Sequence, residues 1–236
     1  MQLLKIIHDL LFPIKCLGCG KFQEFVCGFC FRKIELKKGF ECAFCSSRTL
    51  SGEICPFCRN DSWLDYFWAA ADYSNPLVKK MLWAYKYKFI RELRTPLSRL
   101  LLKFLEEKEK NKFIENHAGQ LVLIPVPIHR LRLNWRSYNQ SELIAQELAE
   151  KIKLEIAADV LLRVKNKKPQ AEIKNKEERN ANVEGIFYCP TPERVRNKII
   201  LLIDDVATTG STLNQAAKTL KQAGALKVIG LVVAKG

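Results

Sequence analysis

The sequence lacks a run of about 18 consecutive apolar residues, the length that a membrane-spanning helix requires. It also lacks an export signal, because Lys5, His8 and Asp9 interrupt the apolar stretch 2–12 and no small-residue cleavage site follows before Pro13. The spacing of the leucines and isoleucines in that stretch predicts a short amphipathic helix that packs on the rest of the protein. Association of this helix with a membrane surface is the weaker alternative. We therefore expect a cytoplasmic protein.

A G-x-x-x-x-G-K-[ST] phosphate-binding loop is also missing. Its absence excludes one interpretation of the apolar run Ile199–Ile203, which is followed by Asp204 and Asp205 and could otherwise be the metal-binding strand of a nucleotide triphosphatase. The sequence shows no nucleophile triad either, so it gives no sign of covalent catalysis.

Acidic residues are few. The 236-residue chain has 25 Asp and Glu against 39 Lys and Arg, a net charge of +14 at pH 7. Two zinc ions held by eight thiolates would lower this to about +10. The chain stays basic, which indicates an anionic partner such as a nucleotide, a nucleic acid or a membrane surface.

Eight of the nine cysteines form four C-x-x-C pairs. Strict pairing without an export signal favours metal over a disulfide framework, and zinc over an iron–sulfur cluster. The gaps predict two structural ions, one on the first two pairs and one on the last two, with an interleaved arrangement as the alternative. Cys189 is left over and is most simply a small apolar residue. The eight predicted ligands are Cys16, Cys19, Cys27, Cys30, Cys42, Cys45, Cys55 and Cys58.

The stretch 198–213 organises the rest of the chain. Ile199–Ile203 has no polar alternation, which predicts a central strand buried on both faces of a parallel sheet. Small and hydroxylated residues then precede a helical pattern, so that backbone N–H groups, hydroxyls and a helix N-terminus can surround one anion. Together with the two acids, this predicts a ligand with vicinal hydroxyls and a phosphate. A helix cap at Thr209 or Ser211 alone is the weaker alternative.

Further strands are predicted at 66–73, 121–127, 160–164 and 225–234, and they alternate with helices that begin at Pro76, at about Pro96 and at about Gln140. This order predicts a mostly parallel α/β sheet flanked by helices. The cysteines stop and aromatic residues begin near Asn60. We therefore expect an N-terminal helix and cysteine module over 1–62 and an α/β domain over 63–236.

Two regions carry clustered positive charge. A basic loop, IHRLRLNWRSYNQS, follows the strand 121–127 and contains His129, Arg130, Arg132 and Arg136, at the edge where open α/β sheets bind ligands. The helix that begins at Pro76 has a cationic face, for which an ordinary solvated surface is an equally good interpretation. That face comprises Lys79, Lys80, Lys86, Lys88, Arg91 and Arg94.

The segment Asn166–Ala181 is long, hydrophilic and rich in Asn and Lys. It is long enough to be a flap that closes over a ligand, and a disordered surface loop is the alternative.

The run Leu201–Thr212 resembles, nearly residue for residue, the phosphoribosyl pyrophosphate (PRPP) signature of type I phosphoribosyltransferases. The order of motifs along the whole chain resembles the ComF family, also called GntX-like or competence-protein-F-like. This order is an N-terminal helix ending in F-P, a cysteine module, I-P-V-P with a basic loop, R-x-x-N-Q, a Pro-Gln segment, R-x-x-N and D-D-x-x-T-T-G. Members join a cysteine zinc module to a phosphoribosyltransferase-type domain and are linked to DNA uptake in transformable bacteria.

The chain departs from the family at one position. The family's usual Arg-Gly-Phe-Asn-Gln reads Arg-Ser-Tyr-Asn-Gln over 136–140, with Ser137 in place of glycine. A positive φ at Ser137 would be strained, since a residue with a Cβ atom adopts that conformation at a cost.

The resemblance implies a role for each site residue. Asp204 and Asp205 would bind the ribose hydroxyls and help to place Mg²⁺, and Arg130, Arg132 and Arg136 would bind the pyrophosphate. The 5′-phosphate would be held by Ala207, Thr208, Thr209, Gly210, Ser211 and Thr212.

Two classes of function stay open. The protein is either a transferase that moves phosphoribose from PRPP to an acceptor, or a nucleic-acid-binding competence factor whose PRPP site is regulatory or vestigial. A purely structural zinc adaptor is a weaker third possibility. The nucleic-acid reading predicts binding of single-stranded DNA by Lys79, Lys80, Lys86, Lys88 and the flap, with Trp83, Tyr85 and Tyr87 for base stacking.

Overall fold

The computed structural model describes residues 14–164 and 185–236. The predicted N-terminal helix over 2–12 and the predicted flap Asn166–Ala181 lie outside these residues. None of the helices in the described ranges is long and apolar enough to cross a membrane.

The described residues form nine strands and eight α-helices, with two short 3₁₀ turns at Arg91–Leu93 and Pro192–Arg194. The strands are β1 Phe40–Glu41, β2 Arg48–Thr49, β3 Tyr66–Asp72, β4 Leu121–Pro125, β5 Glu155–Ile156, β6 Leu162–Arg163, β7 Phe187–Tyr188, β8 Ile199–Ala207 and β9 Lys227–Lys235. The helices are α1 Gly28–Arg32, α2 Pro56–Arg59, α3 Pro76–Tyr87, α4 Arg94–Glu107, α5 Lys110–Asn116, α6 Arg130–Arg136, α7 Gln140–Ile152 and α8 Ser211–Gln222.

Five strands form one sheet in the order β3-β9-β8-β4-β5, and every neighbouring pair is parallel. The prediction of a parallel α/β sheet is confirmed, and β8 is its central strand. The short strands form two antiparallel pairs outside this sheet, β1 with β2 and β6 with β7.

The central strand is apolar because both of its faces are covered. Ile199, Leu201 and Ile203 belong to the core that α3, α4 and α7 share with the sheet. Ile200 and Leu202 point to the opposite face, where α8 and the second half of the cysteine module pack. Water is therefore excluded from both faces of the sheet at β8, which explains why the run has no polar residue.

Several predicted elements have different bounds in the structure. The basic segment after β4 is not a loop: Arg130–Arg136 forms helix α6. The helix that was expected to begin at about Pro96 begins at Arg94 and ends at Glu107, and a further helix, α5, follows it. The strand predicted over 160–164 has only the two residues of β6. These short segments are ordered by tertiary contacts, which local propensity does not record.

Candidate functional site

The candidate phosphate loop, residues 207–212, joins the carboxyl end of β8 to the first turn of α8. Gly210 precedes the helix with φ +71°, a conformation that favours glycine. The Thr209 hydroxyl lies 3.1 Å from the Ser211 hydroxyl, so the two side chains order the turn together. Helix α8 begins directly after this loop, and the N-terminus of a helix suits an anion.

The acidic pair lies within β8, two residues before its end. One Asp204 carboxylate oxygen, Oδ1, accepts hydrogen bonds from the Ser141 hydroxyl at 2.8 Å and from the Asp205 backbone N–H at 2.9 Å. The Asp205 carboxylate pairs with the Lys86 ammonium at 2.8 Å. Asp204 also lines the small pocket formed by the phosphate loop. The structure therefore brings the predicted acids and the predicted loop into one site.

Burial dominates the electrostatics of the acidic pair. Desolvation, and then the negative charge of Asp205, raise the pKa of Asp204 to about 7, although Lys86 and the Ser141 hydroxyl oppose the change. Burial lowers the pKa of Lys86, but the charge of Asp205 and the hydrogen bond to it outweigh burial and raise it overall. Asp205 therefore forms an ion pair with Lys86, whereas Asp204 lies beside a second carboxylate and has no ion pair of its own among the described residues.

The three predicted arginines differ in their placement. Arg136 is partly buried, its Nε has no hydrogen-bond partner among the described residues, and its charge lowers the pKa of Lys86. Arg132 is exposed. Burial, and then the positive charge of Arg132, lower the pKa of Arg163, although the charge of Asp204 opposes the change. Arg130 is exposed at the start of α6. Arg136 therefore lies near the acidic pair and Arg132 is connected to it only through Arg163, whereas no interaction among the described residues places Arg130 there.

Sequence reasoning missed four residues of this site. Lys86 was assigned to an outward-facing cationic surface, Ser141 was part of a helix, and Arg163 was part of a strand. Lys235, at the end of β9, is buried and its ammonium contacts the backbone carbonyl of Thr208 in the phosphate loop. None of the four has a motif of its own, and they come from four different elements, α3, α7, β6 and β9, that only the tertiary fold brings together.

The motif R-x-x-N-Q has a structural explanation. Ser137 ends α6 with φ +62°, the positive value for which the family's glycine is suited. The Asn139 side chain accepts from the Ser141 N–H and donates to the Val126 carbonyl, each at 3.2 Å. Asn139 thereby caps α7 and ties its start to the end of β4. This cap fixes Ser141, which in turn hydrogen bonds to Asp204.

The eight paired cysteines form two separate clusters. Cys16, Cys19, Cys27 and Cys30 form the first, and Cys42, Cys45, Cys55 and Cys58 form the second. This is the sequential grouping that was predicted, and the interleaved alternative is wrong.

Both clusters fit a tetrahedral metal site. Within each cluster the Sγ atoms all lie within 4.8 Å of one another, and two of the separations are 3.7 Å (Cys19 to Cys27) and 3.5 Å (Cys45 to Cys55). Four thiolates at about 2.3 Å from one zinc ion lie at such separations. The Ser47 hydroxyl lowers the pKa of Cys45 to about 6, which favours the thiolate form that binds metal. All four positions are filled by protein, so the geometry is that of structural rather than catalytic sites.

An exposed aromatic strip surrounds Arg136, the arginine whose charge acts on Lys86. Two ring pairs, Trp83 with Tyr87 at 6.2 Å and Phe89 with Trp135 at 5.1 Å, are joined by the Arg136 guanidinium. That group lies 5.6 Å from the centre of the Tyr87 ring and 5.7 Å from that of Trp135. We call these five residues the aromatic strip. Tyr85, which was predicted to stack on bases, is fully buried and cannot do so.

The cationic face predicted on α3 is also smaller than expected. Lys79, Lys80 and Lys88 are exposed, but the Lys86 side chain is only 22% exposed because it turns inward to Asp205. A solvated surface and a ligand site therefore share this helix.

The fold and the site together define a protein with a phosphoribosyltransferase domain. The family model for the phosphoribosyl transferase domain matches residues 139–236, which include α7, the acidic pair and the phosphate loop. Combined with the two Cys₄ clusters and the relatives described next, this match identifies the chain as a member of the ComF family.

Three relatives show the extent of the similarity. The chain is 27% identical over 222 residues to Competence protein F of Haemophilus influenzae, covering 86% of this chain and 93% of that protein. It is 26% identical over 214 residues to Competence protein ComFC of Bacillus subtilis, covering 86% and 81%. It is 30% identical over 160 residues to DNA utilization protein YhgH of Escherichia coli O157:H7, covering 67% and 66%.

Proposed function

We propose that the protein binds PRPP together with Mg²⁺ at the acidic pair and the phosphate loop. One observation carries this proposal: two carboxylates and a helix N-terminus meet at the carboxyl end of the central parallel strand. Ligands of open α/β sheets bind at that edge. A ligand with vicinal hydroxyls and a terminal phosphate matches both halves of the site.

Each part of PRPP has a chemically suitable partner. The loop Thr208–Thr212 binds the 5′-phosphate through backbone N–H groups and hydroxyls, and Asp204 and Asp205 accept hydrogen bonds from the ribose hydroxyls. The cations around the acids, Arg136 foremost, bind the pyrophosphate. Lys86 belongs to this set: once ribose hydroxyls engage Asp205, its ammonium is available to the pyrophosphate beside them.

If the protein catalyses transfer, the reaction breaks the bond between the anomeric carbon and the pyrophosphate oxygen through an oxocarbenium-like state. The chain then stabilises the departing pyrophosphate with positive charge, orients the ribose and excludes water. Bound Mg²⁺ supplies further neutralisation of the pyrophosphate charge. A covalent nucleophile is not required.

Calorimetry of PRPP in the presence of Mg²⁺ tests ligand binding. We expect Asp204→Ala combined with Asp205→Ala to abolish binding while the protein stays folded. The matched control replaces Glu106 and Glu107 with Ala, since these are exposed at the end of α4 and removing them changes the net charge equally. Equal PRPP affinity in wild type and the aspartate variant would rule out the assignment.

Turnover needs a separate assay, because binding alone fits a regulatory site as well. Release of pyrophosphate from PRPP should be measured with a panel of bases, nucleotides and single-stranded DNA as acceptors. Release that requires one class of acceptor identifies a transferase. Binding without release by any acceptor favours the alternative, in which the PRPP site is regulatory.

A role in DNA uptake is the second part of the proposal. The relatives named for competence and for DNA utilization support this link, and the ComF family to which the chain belongs is associated with it. The specific observation that favours direct DNA contact is the aromatic strip, in which Arg136 lies between two exposed rings and the Lys88 ammonium lies 5.3 Å from the centre of the Trp83 ring. Stacking of bases on aromatic rings and contact of phosphates with cations is how single strands are bound without sequence preference.

Fluorescence anisotropy with a labelled single strand tests this part. We expect Trp135→Ala, and Lys79→Glu combined with Lys80→Glu, to weaken binding. The lysine variant should also flatten the salt dependence by about 0.7 per lost contact on a log–log plot. Lys86 is left unchanged, because the proposal places its ammonium in the PRPP site.

The matched control for the lysine variant is Lys151→Glu with Lys153→Glu. Both lysines are exposed: Lys151 lies in the last turn of α7 and Lys153 directly follows the helix, just before β5, the edge strand opposite β3. The control should bind DNA more tightly than the Lys79 and Lys80 variant. If the wild type does not bind a single strand at low salt, the DNA part of the proposal fails.

We further propose that both Cys₄ clusters hold zinc and that the chain divides into a module over 1–62 and a phosphoribosyltransferase-like domain over 63–236. The closed geometry of both clusters and the chemistry of four thiolates support zinc.

A further inference from the structure

The second Cys₄ cluster packs directly behind the phosphate loop. A Cβ atom placed on Gly210 would lie 3.1 Å from the Ala43 carbonyl oxygen and 3.2 Å from the Phe44 ring. Ala43 and Phe44 are the two residues between Cys42 and Cys45, so they belong to the turn that presents two of the four thiols. The glycine that precedes α8 is thus in close contact with a turn of the second Cys₄ cluster.

A second connection joins the first turn of α8 to the other end of the same cluster. The Asn214 side chain accepts from the Trp63 N–H at 2.7 Å and donates to the Asp61 carbonyl at 3.1 Å. Residues 61–63 follow Cys58 and α2, which carries that cysteine. Asn214 is also bonded through its backbone N–H to the Gly210 carbonyl at 2.9 Å. The start of α8 is therefore held from two sides by segments that the second cluster organises.

The first cluster has a different neighbour. Its cysteines pack against Leu77 of α3, and the Lys80 ammonium reaches the Leu17 carbonyl beside it. These contacts hold α3 rather than the phosphate loop. The molecule therefore contains two clusters of the same chemistry, only one of which contacts the phosphate loop through the residues described above.

We propose that metal at the second cluster fixes the conformation of the phosphate loop, so that ligand binding at the loop depends on this cluster and not on the first. The turn 42–45 is short, and two of its residues are metal-binding thiols. Binding of a metal ion to these thiols supplies free energy that orders the turn. An anion site made of backbone N–H groups binds well only when those groups are already oriented. Loss of the metal therefore releases the support behind Gly210.

Cys45→Ser and Cys19→Ser form a matched pair of variants, because each removes the most exposed thiol of one cluster. Metal analysis should show the loss of about one zinc ion from each. With PRPP and Mg²⁺ as the probe, calorimetry should show affinity reduced at least about tenfold in Cys45→Ser and changed less than about twofold in Cys19→Ser. Asn214→Ala retains all eight thiols and should weaken binding while zinc content stays at the wild-type value.

Hydrogen exchange of the amides over 207–214, measured without ligand, separates this inference from the proposed function on which its ligand rests. Exchange should be faster in Cys45→Ser and Asn214→Ala and unchanged in Cys19→Ser. Unchanged exchange in both of the first two variants, or equal acceleration in Cys19→Ser, overturns the inference. Accelerated exchange in a protein whose wild type does not bind PRPP supports the inference and refutes only the proposed ligand. If Cys45→Ser does not fold, amide exchange in Asn214→Ala alone tests the inference.

Discussion

Replacing Asp204 with Asn should stabilise the protein in the absence of ligand, although it removes a residue of the candidate site. Asn has nearly the same shape as Asp, and its Oδ1 can accept both hydrogen bonds that Asp204 accepts, from the Ser141 hydroxyl and from the Asp205 N–H. The substitution therefore removes little except the negative charge. That charge is unfavourable where it stands, because burial and Asp205 raise the pKa of Asp204 to about 7.

The size of the effect follows from the difference between the folded and unfolded pKa. The pKa of Asp204 is about 7 in the folded protein against an ordinary value of 3.8, so the folded state retains a proton that the unfolded state releases. Stability is highest in acid and falls as the pH rises to about 7. At 1.36 kcal/mol per pH unit, the loss approaches about 4 kcal/mol above pH 7 and is roughly a third of that at pH 5. Because Asp204 is partly exposed, we expect about 2–4 kcal/mol at pH 8.

Thermal unfolding at pH 5 and pH 8, without added Mg²⁺ or PRPP, measures this effect. A gain of 2–4 kcal/mol in a chain of this size raises Tm by on the order of 10 °C. Asp159→Asn is the control of opposite sign, since the hydrogen bond from Arg194 lowers the pKa of Asp159 and its removal should cost stability at pH 8. If Asp204→Asn is no more stable than the wild type at pH 8, or gains as much stability at pH 5 as at pH 8, then the charge of Asp204 does not destabilise the folded protein.

Three further predictions concern other parts of the molecule. Lys86→Gln should weaken PRPP binding at least about fivefold but leave ribose 5-phosphate binding nearly unchanged. Calorimetry with both ligands measures this, with Lys80→Gln as the control. Equal losses for the two ligands would exclude a contact between Lys86 and the pyrophosphate. Cys42→Ser should lose one of the two zinc ions, as measured by metal analysis, and should destabilise the N-terminal module. A fully loaded wild type that contains one zinc ion or none would contradict the prediction of two zinc sites. Ser137→Gly should raise the free energy of unfolding in denaturant by about 1 kcal/mol, because φ is +62° there, and a loss of stability would show that the serine side chain is needed.

The parts of the fold that the sequence predicts correctly are those with local causes. The runs at 121–127 and 199–203 have no polar residues because both sheet faces are covered, so their burial is visible in the residues themselves. The residues of the phosphate loop are likewise contiguous in the sequence, and the lengths of the gaps between the four C-x-x-C pairs indicate which pairs form a cluster. Each of these features can be recognised without knowing what lies next to it in space.

The parts that the sequence does not predict depend on neighbours that are distant in the chain. The burial of Tyr85 depends on contacts with α7, where its hydroxyl donates to the Gln140 carbonyl at 3.0 Å. The basic segment after β4 has alternating charge and apolar residues that suit either a loop or a short exposed helix, and α6 exposes Leu131 and Trp135. Local propensity cannot decide between these states for seven residues.

Arg136 shows why residues cannot be sorted into a ligand site and a binding surface from sequence alone. The motif assigns it to the pyrophosphate, and its influence on Lys86 agrees with a position close to the acids. The same guanidinium joins Tyr87 to Trp135 and makes two separate ring pairs into one strip. A charge held between two rings can face either ligand, so PRPP and a single strand would compete for it or be bound side by side. Among the described residues, Lys86 forms its ion pair with Asp205, and Trp135 has its ring contacts within the strip. Substitutions at those two positions should therefore separate the two activities, and a substitution at Arg136 should affect both.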